Sequence, residues 1–209
     1  MRAVSLLLYS SIIISNLVAV EQTVKILCLG DSLTEGFGVL KEQSYPALLE
    51  KALRDHGLSV KVINSGQSGS TSKNGLKRIK WLARMKPDYV ILALGANDGL
   101  RGLSLVDLEQ NLRDVIEFAK QQEIQVILAG MKIPPNYGPA YTAEFEKVFE
   151  RLAESFQLPL IDFLLDGVAG VAELNLPDGI HPTAEGYEIV TQNILKVVMP
   201  LVIGDTIDE

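Results

Sequence analysis

The sequence predicts an α/β protein built on a parallel sheet of five strands, with helices covering both faces. After residue 23, short apolar runs alternate with longer segments of helical periodicity. The apolar runs are Val24–Gly30, Leu58–Asn64, Asp88–Leu94, Ile124–Gly130 and Leu158–Ile161. Because these runs do not alternate with polar residues, they indicate strands that are buried on both faces. Their alternation with helices favours a parallel sheet with right-handed crossovers.

Helical patterns fill the intervals between these runs. The segments with helical spacing are Ser44–His56, Thr71–Met85, Ser104–Gln122, Ala140–Phe156 and Thr183–Val202. One of them carries apolar residues at intervals of three and four, at Leu105, Leu108, Leu112, Val115, Ile116 and Ala119. Such spacing gives the single apolar stripe that a helix packed on a sheet requires. No linker, repeat or low-complexity tract interrupts residues 23–209, so we expect one domain there.

Residues 1–22 are different in kind from the rest of the chain. Met1-Arg2 is followed by an apolar run over residues 3–20, with small residues near Val18-Ala19. This pattern is typical of a secretory signal peptide, cleaved somewhere in residues 16–22, and it predicts a periplasmic or secreted protein. The alternative is an uncleaved membrane anchor, because the run approaches spanning length. Membrane contact is expected only through this segment, if it is retained.

Composition excludes several classes of function. A formal charge of −7 over 209 residues argues against binding to nucleic acid or to an anionic membrane surface. With two histidines and one cysteine, the chain lacks the usual ligands of a zinc or dinuclear site, and we expect no metal. The one cysteine, Cys28, lies in an apolar run and is predicted to be a packing residue.

Two segments at opposite ends of the chain together suggest nucleophilic catalysis. They are Gly30-Asp31-Ser32-Leu33 and Asp178-Gly179-Ile180-His181-Pro182. A serine hydroxyl becomes a good nucleophile when a base takes its proton, and the base needs a third group to hold its ring. The segments supply Ser32, His181 and Asp178 in these roles. The alternative is that Asp178 and His181 only shape the turn before the last helix, with Thr183 as its N-cap.

Further polar groups follow the predicted strands. In a parallel sheet, ligand sites lie beyond the carboxyl ends of the strands. Ser32 follows the first predicted strand, Gly66 the second and Asn97 the third. The backbone N–H groups of Ser32 and Gly66 and the side-chain amide of Asn97 are therefore candidate donors to an oxyanion. Each segment alone also fits an ordinary turn, and it is their joint occurrence that favours a site.

These segments resemble the sequence blocks of the SGNH hydrolases, also called the GDSL family. The blocks are Gly-Asp-Ser-Leu, a glycine in the second block, Gly-x-Asn-Asp and Asp-x-x-His-Pro, and the likeness spans about residues 24–200. Two more stretches, Leu94–Gly102 and Pro135–Gly138, are similar to the bacterial thioesterase I group of arylesterases and lysophospholipases. The resemblance implies a flavodoxin-like three-layer fold, no cofactor and export. It also implies the triad and the three oxyanion donors named above.

The loops after the third and fourth strands are candidates for contact with an acyl chain. They cover residues 99–104 and 133–141, and the candidate substrate-binding residues in them are Gly99, Leu100, Asn136 and Tyr137. The apolar character of these loops favours acyl chains over sugars. A carbohydrate acetyl esterase nevertheless stays open, since it would use the same chemistry.

Two further classes are weighed against this interpretation. A Gly-x-Ser-x-Gly nucleophile elbow is absent because residue 34 is Thr, which disfavours an α/β-hydrolase. A flavodoxin-like module that only binds a phosphorylated ligand lacks the expected glycine-rich motifs and has no use for Asp178 and His181. The expected function is hydrolysis of esters or thioesters of small molecules, with no stable protein partner. Thioesters, aryl esters and lysophospholipids are not ranked.

Overall fold

The computed structural model describes residues 23–207. The predicted signal segment, residues 1–22, lies outside the described residues. None of the helices in the described range is both long and apolar enough to cross a bilayer.

Five parallel strands form one sheet, as the sequence predicts. The strands are β1 (Val24–Gly30), β2 (Val60–Gly66), β3 (Tyr89–Ala93), β4 (Gln125–Ala129) and β5 (Leu160–Ile161). Their order is β2-β1-β3-β4-β5, and every neighbouring pair is parallel. This is the flavodoxin-like order, in which the chain reverses direction across the sheet between β1 and β3. Ligands bind beyond the carboxyl ends of the strands at that reversal.

Seven α-helices accompany the sheet in the described part of the chain. They are α1 (Ser32–Glu35), α2 (Tyr45–Asp55), α3 (Gly75–Leu82), α4 (Ala96–Leu100), α5 (Leu105–Gln121), α6 (Pro139–Phe156) and α7 (Ala184–Ile207). Helix α2 packs on α7, whereas α5 packs on both α3 and α6. With right-handed crossovers, these two groups cover opposite faces of the sheet. The result is the predicted three-layer arrangement.

The core follows the apolar pattern of the strands. All residues of β3 are buried, and so are the last five residues of β1. The predicted stripe of α5 faces inward, with Leu108, Leu112 and Val115 fully buried. Strand β2 lies at the edge of the sheet and is only partly buried. Because the carboxyl ends of β1 and β3 are buried, the loops that follow these strands start from fixed positions.

Two short helices were not predicted, and both carry candidate site residues. Helix α1 has four residues and begins at Ser32, and α4 has five residues and includes Asn97. Helices this short contain too few residues to show a periodic pattern. Helix α1 is instead specified by its cap, because the Asp31 side chain accepts a hydrogen bond from the Leu33 N–H at 3.0 Å.

Candidate active site

The two ends of the sequence meet at the carboxyl edge of the sheet. The Nε2 atom of His181 lies 2.9 Å from the hydroxyl oxygen of Ser32, across 149 residues of sequence. On the other side of the ring, Nδ1 lies 2.7 Å from a carboxylate oxygen of Asp178. The side chain of His181 is 16% exposed, so it is largely shielded while remaining accessible to a small molecule. The structure therefore brings the three predicted triad residues into one hydrogen-bonded chain.

Asp178 is held as a carboxylate by the loop that contains it. Partial desolvation opposes ionisation, but hydrogen bonds from the backbone and the ring of His181 and from the Ile180 N–H outweigh it and lower the pKa of Asp178 to about 2. The two backbone bonds, at 3.0 and 2.9 Å, go to one oxygen and leave the other for Nδ1 of His181. Because an ionised carboxylate only accepts, Nδ1 carries the ring proton in neutral His181 and Nε2 faces Ser32 as an acceptor.

The turn-forming role considered as an alternative is also present. The Thr183 hydroxyl accepts a hydrogen bond from the Gly186 N–H at 3.2 Å, so Thr183 caps α7. Asp178 orders the same turn through its second oxygen. One segment therefore starts the last helix and presents the His181 ring to Ser32.

The side-chain amide of Asn97 is oriented by two charged groups. Its nitrogen donates to Asp31 Oδ2 at 3.2 Å, and its oxygen accepts from Arg101 Nη2 at 3.3 Å. A carboxylate has no proton to give and a guanidinium has no lone pair to offer, so the amide cannot turn over without losing both bonds. In the described part of the chain, the second N–H of this amide nitrogen has no acceptor. Asp31 therefore has two roles: it caps α1, and it orients the side chain of Asn97.

Asp31 is an unusual residue for this position because it is almost fully buried, at 1% exposure. Desolvation raises its pKa to about 6, against hydrogen bonds from the Leu33 N–H and from Asn97 and attraction to His181. A carboxylate that loses its water on folding favours its neutral form. The fold therefore buries a carboxyl group whose ionisation is unfavourable directly before Ser32.

Gly66 does not occupy the predicted place. Its N–H donates to the side-chain oxygen of Asn64 at 2.9 Å, and a Cβ on Gly66 would overlap the backbone of Glu35 in α1. The sequence predicted that the second strand ends at Asn64, whereas β2 runs on to Gly66. Gly66 is accordingly the last residue of a strand packed behind α1, which corrects the expectation that its N–H is free for an oxyanion.

Gly69, three residues later, lies beside Asn97 instead. Nη2 of Arg101 donates both to the Gly69 carbonyl at 3.0 Å and to Asn97. Among the described residues, nothing accepts the Gly69 N–H. Its φ of +74° suits glycine, and Glu35 anchors the loop by accepting from the backbone and hydroxyl of Ser68. The sequence shows both glycines of this block, and the true end of β2 is needed to tell which of them lies near Asn97.

An apolar cavity of about 380 Å³ opens next to the triad. It is lined by Leu33, Ala96 and Ile180, which neighbour Ser32, Asn97 and His181 in sequence. Its other apolar lining includes Leu100, Met131, Ile133, Pro134, Phe163 and Leu165. We call this space the acyl cavity, because its lining includes residues of the two loops that the sequence nominates for contact with an acyl chain. It has the size and lining of a site for a small apolar ligand.

Known proteins of one family are similar to this chain over most of its length. Residues 28–189 match the model of the GDSL-like Lipase/Acylhydrolase family. The chain belongs to this family. Esterase TesA of Pseudomonas aeruginosa is 37% identical over 202 residues, which are 96% of this chain and 100% of TesA. Thioesterase 1/protease 1/lysophospholipase L1 of Escherichia coli K12 is 33% identical over 182 residues, 87% of this chain and 86% of that protein.

The fold of this GDSL-family chain is likewise that of a solved relative. A crystal structure of TesA superposes with a TM-score of 0.82 at 38% identity, covering 85% of this chain and 99% of TesA. The predicted family and fold class are confirmed, and the activity class is hydrolysis of acyl esters or thioesters.

The four candidate substrate residues of this acylhydrolase have three different placements. Leu100 lines the acyl cavity. Gly99 lets the backbone of α4 approach Ile133 closely, where a Cβ would collide with it. Tyr137 donates to the Leu100 carbonyl at 2.6 Å and so fixes the cavity wall, while Asn136 lies exposed on the neighbouring turn. Gly99 and Tyr137 therefore shape the site without lining the cavity.

Phe37 is a site residue that sequence reasoning missed. Its ring centroid lies 4.6 Å from that of His181, in a tilted arrangement, and 48% of Phe37 is exposed. A phenylalanine five residues after the start of a helix has no local signal for such a contact. Its ring covers part of one side of the imidazole.

The remaining chemically reactive side chains lie elsewhere. His56 ends α2, where its ring nitrogen Nδ1 lies 2.8 Å from the Ala52 carbonyl. Cys28 is buried in β1, and desolvation raises its pKa to about 12 despite a hydrogen bond with Tyr45. Residues 23–207 contain no group of three histidine, cysteine or acidic side chains placed to hold a metal ion.

Proposed function

We propose that this protein hydrolyses esters and thioesters of apolar acyl groups through Ser32, His181 and Asp178, without a cofactor. The observation that carries the proposal is the short path from Ser32 Oγ to His181 Nε2, 2.9 Å, continued at 2.7 Å to Asp178. A nucleophile and base within this distance, with the base oriented by a third group, is the arrangement that acyl transfer requires.

The first step forms an acyl-enzyme. As Ser32 Oγ bonds to the acyl carbon, its proton moves to Nε2 of His181. The imidazolium is stabilised by the ionised Asp178, whose low pKa keeps it charged at neutral pH. When the carbon–oxygen or carbon–sulfur bond breaks, the proton passes from Nε2 to the departing alcohol or thiol. In the second step water attacks the acyl carbon while Nε2 of His181 takes a proton from it. The bond between the acyl carbon and Ser32 Oγ then breaks, Nε2 returns the proton to Oγ, and the free acid leaves the site.

Negative charge that develops on the carbonyl oxygen needs fixed donors. The donors in this proposal are the N–H groups of Ser32 and Gly69 and the free N–H of Asn97. The first residue of a helix has no intrahelical acceptor for its N–H, so that of Ser32 is available. Asp31 and Arg101 hold the Asn97 amide before substrate arrives, and such preorganisation is the main source of oxyanion stabilisation.

The acyl cavity distinguishes the acyl hydrolase from a carbohydrate esterase. Its lining beside the triad is apolar, from Leu33 to Leu165, and offers few groups to bind sugar hydroxyls. An acyl chain buried there gains about 0.8 kcal/mol for each methylene removed from water. The names of the relatives add thioesters and lysophospholipids to the classes that a substrate panel should contain.

The decisive experiment uses a fluorophosphonate probe and a matched pair of histidine variants. The probe should label Ser32 in the native chain and fail to label His181→Ala. His56→Ala is the control, because His56 is the other histidine and lies at the end of α2. Labelling in His56→Ala but not in His181→Ala supports the mechanism. A folded chain that is not labelled at all would instead favour a binding module.

We further propose that residues 1–22 direct export and that the mature enzyme begins near residue 23. The support is the charged start, apolar run and small residues of this segment. N-terminal sequencing of the protein recovered from the periplasm of an expressing bacterium tests it. An intact Met1 in a membrane fraction would indicate the retained anchor.

A further inference from the structure

A second cavity lies behind the acyl cavity. It occupies about 470 Å³. Three side chains, Met131, Lys132 and Phe163, line both spaces. They therefore form a shared partition, which we call the end wall.

The two spaces differ in chemistry. Beyond the end wall, the second cavity carries the charged side chains Glu146, Glu150, Asp162, Asp166 and Lys196. The acyl cavity on the near side is bounded mainly by apolar groups such as Leu33 and Ile133. A hydrocarbon chain is stabilised by leaving water for the acyl cavity, whereas placing it among charges removes their hydration without replacement.

The backbone holds the end wall in place. The Gly130 N–H donates to the Ile161 carbonyl at 2.8 Å, and the Leu164 N–H donates to the Gly130 carbonyl at 3.0 Å. These bonds join the carboxyl ends of β4 and β5 next to Met131 and Phe163. The two side chains thus project from strand ends rather than from a long loop.

Lys132 completes the wall with its aliphatic stem. Its Nζ lies 3.4 Å from Glu146 Oε2 and 5.7 Å from the centroid of the Phe163 ring. Glu146 lines the second cavity and not the acyl cavity, so the ammonium is on the far side of the wall. A lysine held in this way covers apolar surface with its methylene groups while its charge stays with polar partners.

We propose that Met131, Lys132 and Phe163 set the longest acyl chain that the enzyme accepts. This inference rests on the proposed function, because it places the acyl group of the Ser32 ester in the acyl cavity. Below the limit, each added methylene raises kcat/KM about fourfold, as burial of that group predicts. Above it, the chain end meets the wall and must remain in water. The substrate class is therefore esters and thioesters of short and medium unbranched acids.

The test is a chain-length profile measured with p-nitrophenyl esters from acetyl to palmitoyl, each below its critical micelle concentration. Phe163→Ala and Lys132→Ala open the wall, whereas Lys196→Ala is the matched control because Lys196 lines only the second cavity. We expect both wall variants to shift the optimum toward longer chains. The ratio of kcat/KM for the dodecanoyl ester to that for the acetyl ester should rise at least about 10-fold. Lys196→Ala should keep the wild-type profile at every chain length.

The outcomes separate this inference from the proposed function. If the wall variants hydrolyse the acetyl ester but prefer the same chain length as the wild type, the end wall does not limit the acyl chain. The same conclusion follows if the control shifts as much as they do. Because Lys132 is exposed, Lys132→Ala decides the question even if Phe163→Ala does not fold. A wild-type chain that hydrolyses no ester and resists the fluorophosphonate probe refutes the proposed function instead.

Discussion

Replacing Asp31 with asparagine should raise the free energy of unfolding of this protein and lower its kcat. Asp31 is 1% exposed, and desolvation, opposed by its hydrogen bonds and by His181, raises its pKa from 3.8 to about 6. At about 1.4 kcal/mol per pKa unit, ionising the buried group at neutral pH lowers the free energy of unfolding by about 3 kcal/mol. Asparagine has the shape of the neutral acid and removes this penalty.

The sign of the pH dependence follows from the raised pKa. Below pH 3.8 the carboxyl is protonated in both the folded and the unfolded chain and contributes nothing unfavourable. As the pH rises toward 6, the unfolded chain loses the proton first, so the stability of the wild type falls relative to Asp31→Asn. The difference should grow from near zero to about 3 kcal/mol across this window and then stay constant.

Urea unfolding of both proteins at several pH values measures this difference. The same substitution should lower kcat roughly 10- to 100-fold with little change in KM, because Asn97 loses the charged acceptor that fixes its donor. Asp98→Asn is the matched control for turnover, since Asp98 is buried beside Asn97 but accepts from Ser72. A variant no more stable than wild type at pH 7, or one with a pH-independent difference, would refute the electrostatic reasoning. Full activity in Asp31→Asn would remove its positioning role.

Four further results are expected. Asn97→Ala should lower kcat roughly 10²- to 10³-fold with an unchanged urea midpoint, and wild-type turnover would remove Asn97 from the oxyanion site. Asp178→Asn should lower kcat by about 10⁴, as the equivalent change does in serine proteases, because an amide does not fix the ring tautomer; a fall below tenfold in steady-state assays would argue against the triad. Gly66→Ala should lower the unfolding free energy by about 1–3 kcal/mol or more in denaturant titrations, since its Cβ overlaps the backbone of α1, whereas Gly204→Ala meets open space and should be tolerated. Cys28, whose pKa burial raises to about 12, should react with Ellman's reagent only in urea, and rapid labelling of the native thiol would contradict its burial.

Sequence reasoning recovered the elements whose signals are local. The bounds of β1 were predicted without error, and α5 was predicted to within one residue at each end, because apolar runs and helical spacing are written along the chain. The short helix α1 was missed, since its four residues depend on the Asp31 cap rather than on a periodic pattern. A two-residue error at the end of β2 was enough to treat the N–H of Gly66 as free, although it donates to the side chain of Asn64.

The sequence by itself predicted the sheet, its five longer helices and the family, and it selected Ser32, His181 and Asp178 as the candidate catalytic residues. The strands, helices and family blocks are visible as patterns of residues that are close together in the sequence. The base could be chosen by elimination, because the chain has two histidines. Tertiary structure alone decided where single atoms point: the Asn97 amide between Asp31 and Arg101, the bound N–H of Gly66, and Phe37 against the His181 ring. The direction of a donor depends on groups brought together by packing across the whole chain. No local pattern encodes such a meeting.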